Sequence, residues 1–240
     1  MNTIQNFKNF IKDSFPIFSR ILRRILSPYI KYKNKKYRKL RNINFQDKAV
    51  KVFSQFCEAL NEANIEYWLT FGTLLGAIRE KGFISHDLDI DVAVFSDVDF
   101  EIMHEKLIRK GFKLSRKIEI YTNNASEVGF EKTYTKDSVS IDIFVFHKGE
   151  EYIVYTHDFL DSTTIGGLTI YNVVRRLTLP LNGFIDYTFL NNKVLIPQNY
   201  PEYLSAHYGS DYMIPNPKWT TRTSPAAKVI AGAIGIIGIK

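Results

Sequence analysis

The sequence predicts an α/β fold of the mixed, α+β kind: a mixed sheet flanked by helices, with an amphipathic helical extension at the N-terminus. Three observations predict it. Apolar residues recur at helical steps over 4–26 and again over 47–63. The middle of the chain, roughly 112–156, reads as successive strands. Hydrophobic residues make up 45% of 240, enough for one sizeable core, which excludes disorder over the whole length.

The extension comes first. Phe7, Ile11, Phe15, Phe18, Leu22, Ile25 and Leu26 trace one arc of a helix, with Arg20, Arg23 and Arg24 outside it and Pro16 and Pro28 as expected breaks. A basic tract follows over 31–41. Residues 1–45 hold 12 of the 32 Lys and Arg and one of the 25 acids, a net +11 that leaves the remaining 195 residues at −4. An amphipathic helix with a basic cluster suits an anionic membrane surface. The slightly acidic remainder argues against a nucleic-acid partner. No run approaches the ~20 apolar residues that cross a bilayer, and the start lacks the pattern of a signal peptide, so the mature chain is expected to begin at Met1. A single cysteine, Cys57, excludes a disulfide framework and a cysteine zinc site, and it favours a reducing compartment.

A helix over 47–63 leads into a strand over 65–71, ended by Gly72, and a short helix over 73–79. Residues 88–95 alternate acid and apolar before becoming wholly apolar, as a strand does when its leading end reaches a cleft. Asp97 is expected to cap a helix running to Lys110 and closed by Gly111. Strands follow at 112–122, 127–135, 139–147 and 150–156, then a hairpin over 184–197 turning at Asn191-Asn192, and a short helix over 201–207 ended by Gly209. The tail 229–239 is uncharged, too short to span a bilayer and too apolar to rest in water; it docks on the core, on the N-terminal helix or on a membrane face. The expected division is 1–45 as basic segment, 46–222 as catalytic domain and 223–240 as tail.

The chemistry concentrates in Gly72-Thr-Leu-Leu-Gly-Ala-Ile-Arg79 and His86-Asp-Leu-Asp-Ile-Asp91. Side chains alternate along a strand, so Asp87, Asp89 and Asp91 share one face. Carboxylates this close repel, and a divalent cation between them removes the cost. Oxygen-only ligands favour Mg²⁺ or Mn²⁺. Asp142 is a lone acid in the apolar run 141–146, and burial without a partner would be costly, so it is expected in the same cleft. Two acid-bearing strands behind a Gly-Thr turn suit metal-dependent phosphoester transfer. Arg79 reads as a phosphate clamp or as a surface residue, and His86 as a weaker candidate beside the acids. Tyr187, Tyr203, Tyr208 and Trp219 read as packing residues with ring faces able to meet a sugar or a quaternary ammonium.

Gly72–Arg79, Lys81-Gly-Phe-Ile84, Asp87–Asp91 and the block Val194–Gly209 resemble, in order, the LicD family of phosphocholine transferases, the group that includes the fukutins. The resemblance runs from about Ile65 to Pro215. It implies a nucleotidyltransferase-like fold and transfer of a phospho-alcohol, phosphocholine or a phospho-polyol, from a CDP-activated donor to a glycan or lipid-linked saccharide hydroxyl. It also implies that Asp89 and Asp91 are paired metal ligands, that Asp142 is a third ligand or the base, and that Gly72 and Thr73 approach the donor phosphates. The family commonly carries Pro-Trp before the acidic run; this chain has Ser85-His86, a difference that bears on the donor's head group. The expected location is cytoplasmic, at the inner membrane face. The competing readings are a nucleotidyltransferase moving NMP from an NTP, and a silent scaffold in glycan assembly.

Overall fold

The computed structural model describes residues 16–123 and 127–238. Helix α1, Pro16–Glu62, is one continuous helix of 47 residues, on the order of 70 Å long at 1.5 Å per residue. Of the apolar arc, residues 4–15 lie outside the described residues. Pro28 does not break the helix as expected, and the basic tract is helical too. An interior proline costs about 3 kcal/mol. The docked C-terminal half outweighs it: Phe45, Ala49, Val52, Phe53, Phe56 and Leu60 are at most 1% exposed, and each large side chain buried contributes roughly 1.5–3 kcal/mol. Before that half, Tyr29, Tyr32, Lys33, Lys36, Lys39 and Leu40 are exposed.

The strands form one mixed, 11-stranded sheet. Its centre is β2, Asp89–Phe95, parallel to β5, Val139–Lys148. On one side of β2 stand β1, Trp68–Leu69, and the hairpin of β8, Phe184–Phe189, with β9, Asn192–Pro197. On the other, β3 (Lys113–Tyr121), β4 (Phe130–Lys136), β5, β6 (Ile153–Ile165), β7 (Leu168–Pro180) and β11 (Ile234–Gly238) pair antiparallel in a closed six-stranded ring, with β10, Ala227–Val229, on β7. Ile90, Val92, Ile141 and Ile143 are wholly buried on the side of the sheet that α1 covers. Helices α2 (Phe71–Arg79), α3 (Phe100–Arg109) and α4 (Tyr200–Tyr208) complete the layers. The mixed α+β architecture matches expectation.

Several element bounds are corrected. The strand expected over 65–71 is two residues long, because the chain turns into α2 already at Phe71. Asp99, not Asp97, caps α3, its Oδ1 accepting from the backbone N–H groups of Glu101 and Ile102, each at 3.0 Å. Asp97 lies in the turn after β2 and pairs with Lys148 at 3.2 Å. The strand expected at 150–156 is the start of a 13-residue arm, and its partner β7 was not anticipated. Its polar tip turns at Gly166-Gly167, both at positive φ. The apolar tail docks on the sheet, where β11 sits between β3 and β7.

Candidate active site

The site begins at the junction of β1 and α2. Phe71 holds a φ of 42°, a conformation that is unfavourable for a bulky residue. Its ring packs on Phe144 and His207, each 4.7 Å away between centroids, which keeps it there. The turn aims the Gly72 N–H at Asp91, whose Oδ2 accepts at 2.9 Å. A Cβ on residue 72 would stand 3.0 Å from that oxygen and 3.6 Å from Asp87 Oδ2. Only glycine lets the carboxylate come this close to the chain. Thr73, fully buried, accepts from the Asp91 N–H at 2.8 Å, so helix and strand are clasped from both sides of one aspartate. Gly76 serves the return of the chain: a Cβ there would lie 2.5 Å from the Gly82 carbonyl.

In the parallel pairing of β2 and β5, Asp91 stands opposite Asp142 and Asp89 opposite Ser140. Side chains of directly opposed residues share a face, so Asp89, Asp91 and Asp142 meet over one patch of sheet. Asp87 stands in the turn just before. Burial raises all four pKa values: Asp87 to about 7 with help from Asp89, and Asp89 to about 6 with help from Asp142. Asp91 is pushed well above the carboxylate range by burial and then by Asp89, Asp142 and Asp87. Asp142 is raised by burial too, with Arg116 and the Thr133 hydroxyl pulling it back.

Antiparallel β4 adds a layer that the sequence did not disclose. Thr133, opposite Asp142, donates to its Oδ1 at 2.6 Å. Arg116 Nε donates to Thr133 Oγ1 at 3.0 Å, while its Nη2 pairs with Glu131 at 2.5 Å and Asp142 Oδ2 at 3.5 Å. Burial and then Asp142 push Glu131 up to about 8, against the pull of Arg116. Opposite this wall, Tyr208 lies where the Asp91 and Asp87 charges add to the effect of burial and raise its phenol further. The Tyr208 ring packs at a tilt of 45° against Trp219, 4.5 Å away between centroids.

The other expected site residues fall at the margin. Arg79 ends α2 with Nη2 on Glu80 at 2.8 Å and Nη1 on the Tyr212 carbonyl at 3.3 Å, close enough to Asp87 for its charge to act there. His86 is exposed on the turn before Asp87. Thr73 spends its hydroxyl on the strand. Tyr203 is buried, its hydroxyl 2.8 Å from Thr70 Oγ1, and Tyr187 donates to the Ala77 carbonyl at 2.9 Å. Both serve packing. Two surface hollows, along α3 and beside Phe184, are lined by other residues than these acids.

Among the described residues no three His, Cys, Asp or Glu side chains stand as a finished metal cage. The donor set nevertheless fits a hard divalent cation: all oxygens, partly withdrawn from water, each carboxylate raising the next. Mg²⁺ needs only one or two protein carboxylates and completes its shell from phosphates and water.

The family described as LicD/FKTN/FKRP, nucleotidyltransferase domain, matches residues 64–199. An uncharacterized protein of Rickettsia prowazekii (strain Madrid E) is 30% identical over 167 residues, which cover 67% of this chain and 58% of that protein. Ribitol-5-phosphate transferase FKTN of Homo sapiens is 25% identical over 188 residues, covering 76% of this chain and 37% of its own length. An uncharacterized protein of Caenorhabditis elegans is 34% identical over 116 residues, 46% of this chain and 29% of its own. The matches thus span less than two thirds of each of these relatives.

Proposed function

The chain belongs to the LicD/FKTN/FKRP family, and from that premise we propose that it is a metal-dependent phosphotransferase. It moves a phospho-alcohol from a CDP-activated donor to a hydroxyl of a cell-surface glycan or lipid-linked saccharide. The human relative is a ribitol-5-phosphate transferase, which sets a phospho-polyol beside phosphocholine as the transferred group. The observation that carries the reading is the in-register opposition of Asp91 and Asp142, with Asp89 on the same face.

A Mg²⁺ or Mn²⁺ ion held by Asp89, Asp91 and Asp142, with Asp87 behind them, would offset the diphosphate charge and polarise the phosphorus. The acceptor hydroxyl attacks the phosphorus that bears the alcohol. The new O–P bond forms as the bond to the bridging oxygen breaks, and CMP leaves with that electron pair. Asp142 suits the proton: burial makes it a stronger base than a surface aspartate, and Thr133 and Arg116 fix its orientation. Arg116 and Arg79 supply positive charge on two sides. The Gly72 N–H fixes the Asp91 carboxylate before substrate arrives.

The N-terminal half of α1, with exposed Tyr29, Tyr32, Lys33, Lys36 and Lys39, supports docking on an anionic membrane surface at the cytoplasmic face. No helix among the described residues is long and apolar enough to cross a membrane.

Incubation with Mg²⁺, a CDP-alcohol and a glycan acceptor tests the reaction. CMP release is expected. Pyrophosphate release from an NTP would instead mark a nucleotidyltransferase, and binding without turnover a scaffold.

A further inference from the structure

Arg41 stands where α1 meets the acidic run. Its Nη2 donates to the Leu88 carbonyl at 3.4 Å, and Leu88 lies between Asp87 and Asp89. The neighbouring Asn42 donates to the carbonyls of Ser85 at 2.8 Å and Asp87 at 3.2 Å, and Gln46 to that of Ile84 at 3.4 Å. The helix therefore grips the backbone at the entrance of β2 through Asn42 and Gln46, with Arg41 contributing one long bond. The Arg41 charge is felt by acids on both strands, opposing the upward shift of Asp89 and of Asp142. Yet among the described residues Arg41 stands within 4.0 Å of no carboxylate. Arg116, on the far side of the cluster, is in contrast tied to Glu131 and Asp142.

A half-buried guanidinium has five N–H donors, and one long bond to a carbonyl uses little of that capacity. Placed beside a group of carboxylates but paired with none, it complements an anion lying over them. We propose that Arg41 binds the diphosphate of a nucleoside-diphosphate donor, so that α1 supplies one wall of the donor site. This inference rests on the function proposed above and goes beyond it, since Arg41 lies outside the 64–199 segment that the family match covers. The planar fork meets two phosphate oxygens at once, while the acids below carry the cation that the diphosphate also meets. The last cation of the basic tract is thereby a substrate residue, whereas the exposed lysines before it face outward.

The test measures binding of CDP and of cytidine to the full chain in saturating Mg²⁺, and of Mn²⁺ alone, for the wild type, Arg41→Gln and Arg41→Lys. Asn42 and Gln46 keep their bonds to the Ser85, Asp87 and Ile84 carbonyls in either variant, so the grip on the turn survives. The expected result is that Arg41→Gln weakens CDP roughly 10- to 100-fold, leaves cytidine unchanged, does not weaken Mn²⁺ because a positive charge beside the carboxylates is removed, and is partly rescued by lysine. CDP bound equally by Arg41→Gln and wild type would overturn the proposal. So would parallel losses of CDP, cytidine and Mn²⁺ with a lowered unfolding temperature, which would make Arg41 a purely structural strut. A wild type that binds no CDP would instead overturn the proposed function itself.

Discussion

Asp89 is the residue on which the electrostatics are plainest. Its pKa in the fold is about 6 against an ordinary 3.8. A carboxyl raised on folding stabilises the protein while protonated in both states, below pH 4, and that contribution is lost as pH rises through 6. Without divalent ions, Asp89→Asn should therefore leave stability unchanged near pH 4 and raise it by on the order of 2 kcal/mol at pH 7.5, several degrees in Tm for a chain of this size. Thermal unfolding across pH in chelator checks this; a variant less stable than wild type at pH 7.5 would show that the carboxylate is well satisfied without a cation. The same variant should lose metal-dependent transfer by roughly two orders of magnitude or more. Gly72→Ala places a methyl 3.0 Å from Asp91 Oδ2, and we expect weakened Mn²⁺ binding with only a small change in Tm, read by metal titration beside calorimetry. Asp87, Asp89 and Asp91 stood out because they recur at a spacing of two, and Asp142 because it is a lone acid in the apolar run 141–146. Arg41, Arg116 and Glu131 were not, because folding alone brings them there, Arg41 across 47 residues of sequence to Leu88.

At the scale of elements, the clasp between α2 and β2 depends on Thr73, buried and bonded to the Asp91 N–H. Thr73→Val keeps the shape and strands that N–H, so a loss of about 1–3 kcal/mol is expected, measured by denaturant unfolding; an unchanged midpoint would mean that another group meets the donor. Helix α4 adds an opposite pH response. His207 is buried with Nδ1 at 2.9 Å from Ser224 Oγ, and burial lowers its pKa to about 3. The unfolded chain takes up the proton first, so this residue costs stability as pH falls below about 6.5, and His207→Gln should lessen that loss. The hairpin and helix over 184–208 were legible from turn residues and periodicity, although the chain turns at Leu190-Asn191, both at positive φ, one residue before the expected Asn191-Asn192, where Asn192 is already paired with Phe189. The arm of β6 and β7 was hidden by its tip, where Ser, Thr and Gly face solvent and no core-facing alternation survives. The Gly166-Gly167 pair was the available signal, a two-residue hairpin turn that needs positive φ.

For the whole molecule, sheet and extension pose separate questions. The apolar tail closes the ring of six strands, with Ala233 4% exposed and Ile236 opposed to Glu119 and Ile170. Its composition showed that it must be covered, and only the pairing partners showed by what. Removing residues 230–240 leaves the edges of β3 and β7 unpaired, and lower Tm with concentration-dependent association is expected. An unchanged, monomeric unfolding transition would assign closure of the ring no weight. Deleting residues 1–38 retains Arg41 and should release the protein from anionic vesicles while sparing activity on a soluble acceptor, as vesicle sedimentation would report. The central claim is that carboxylates from β2 and β5 converge to hold a divalent cation for a CDP-linked donor. Calorimetric titration of CDP into wild type and Asp91→Asn, with Mg²⁺ and with chelator, tests it most directly: tight binding should require both the cation and Asp91, whereas CDP binding that ignores either one would contradict it.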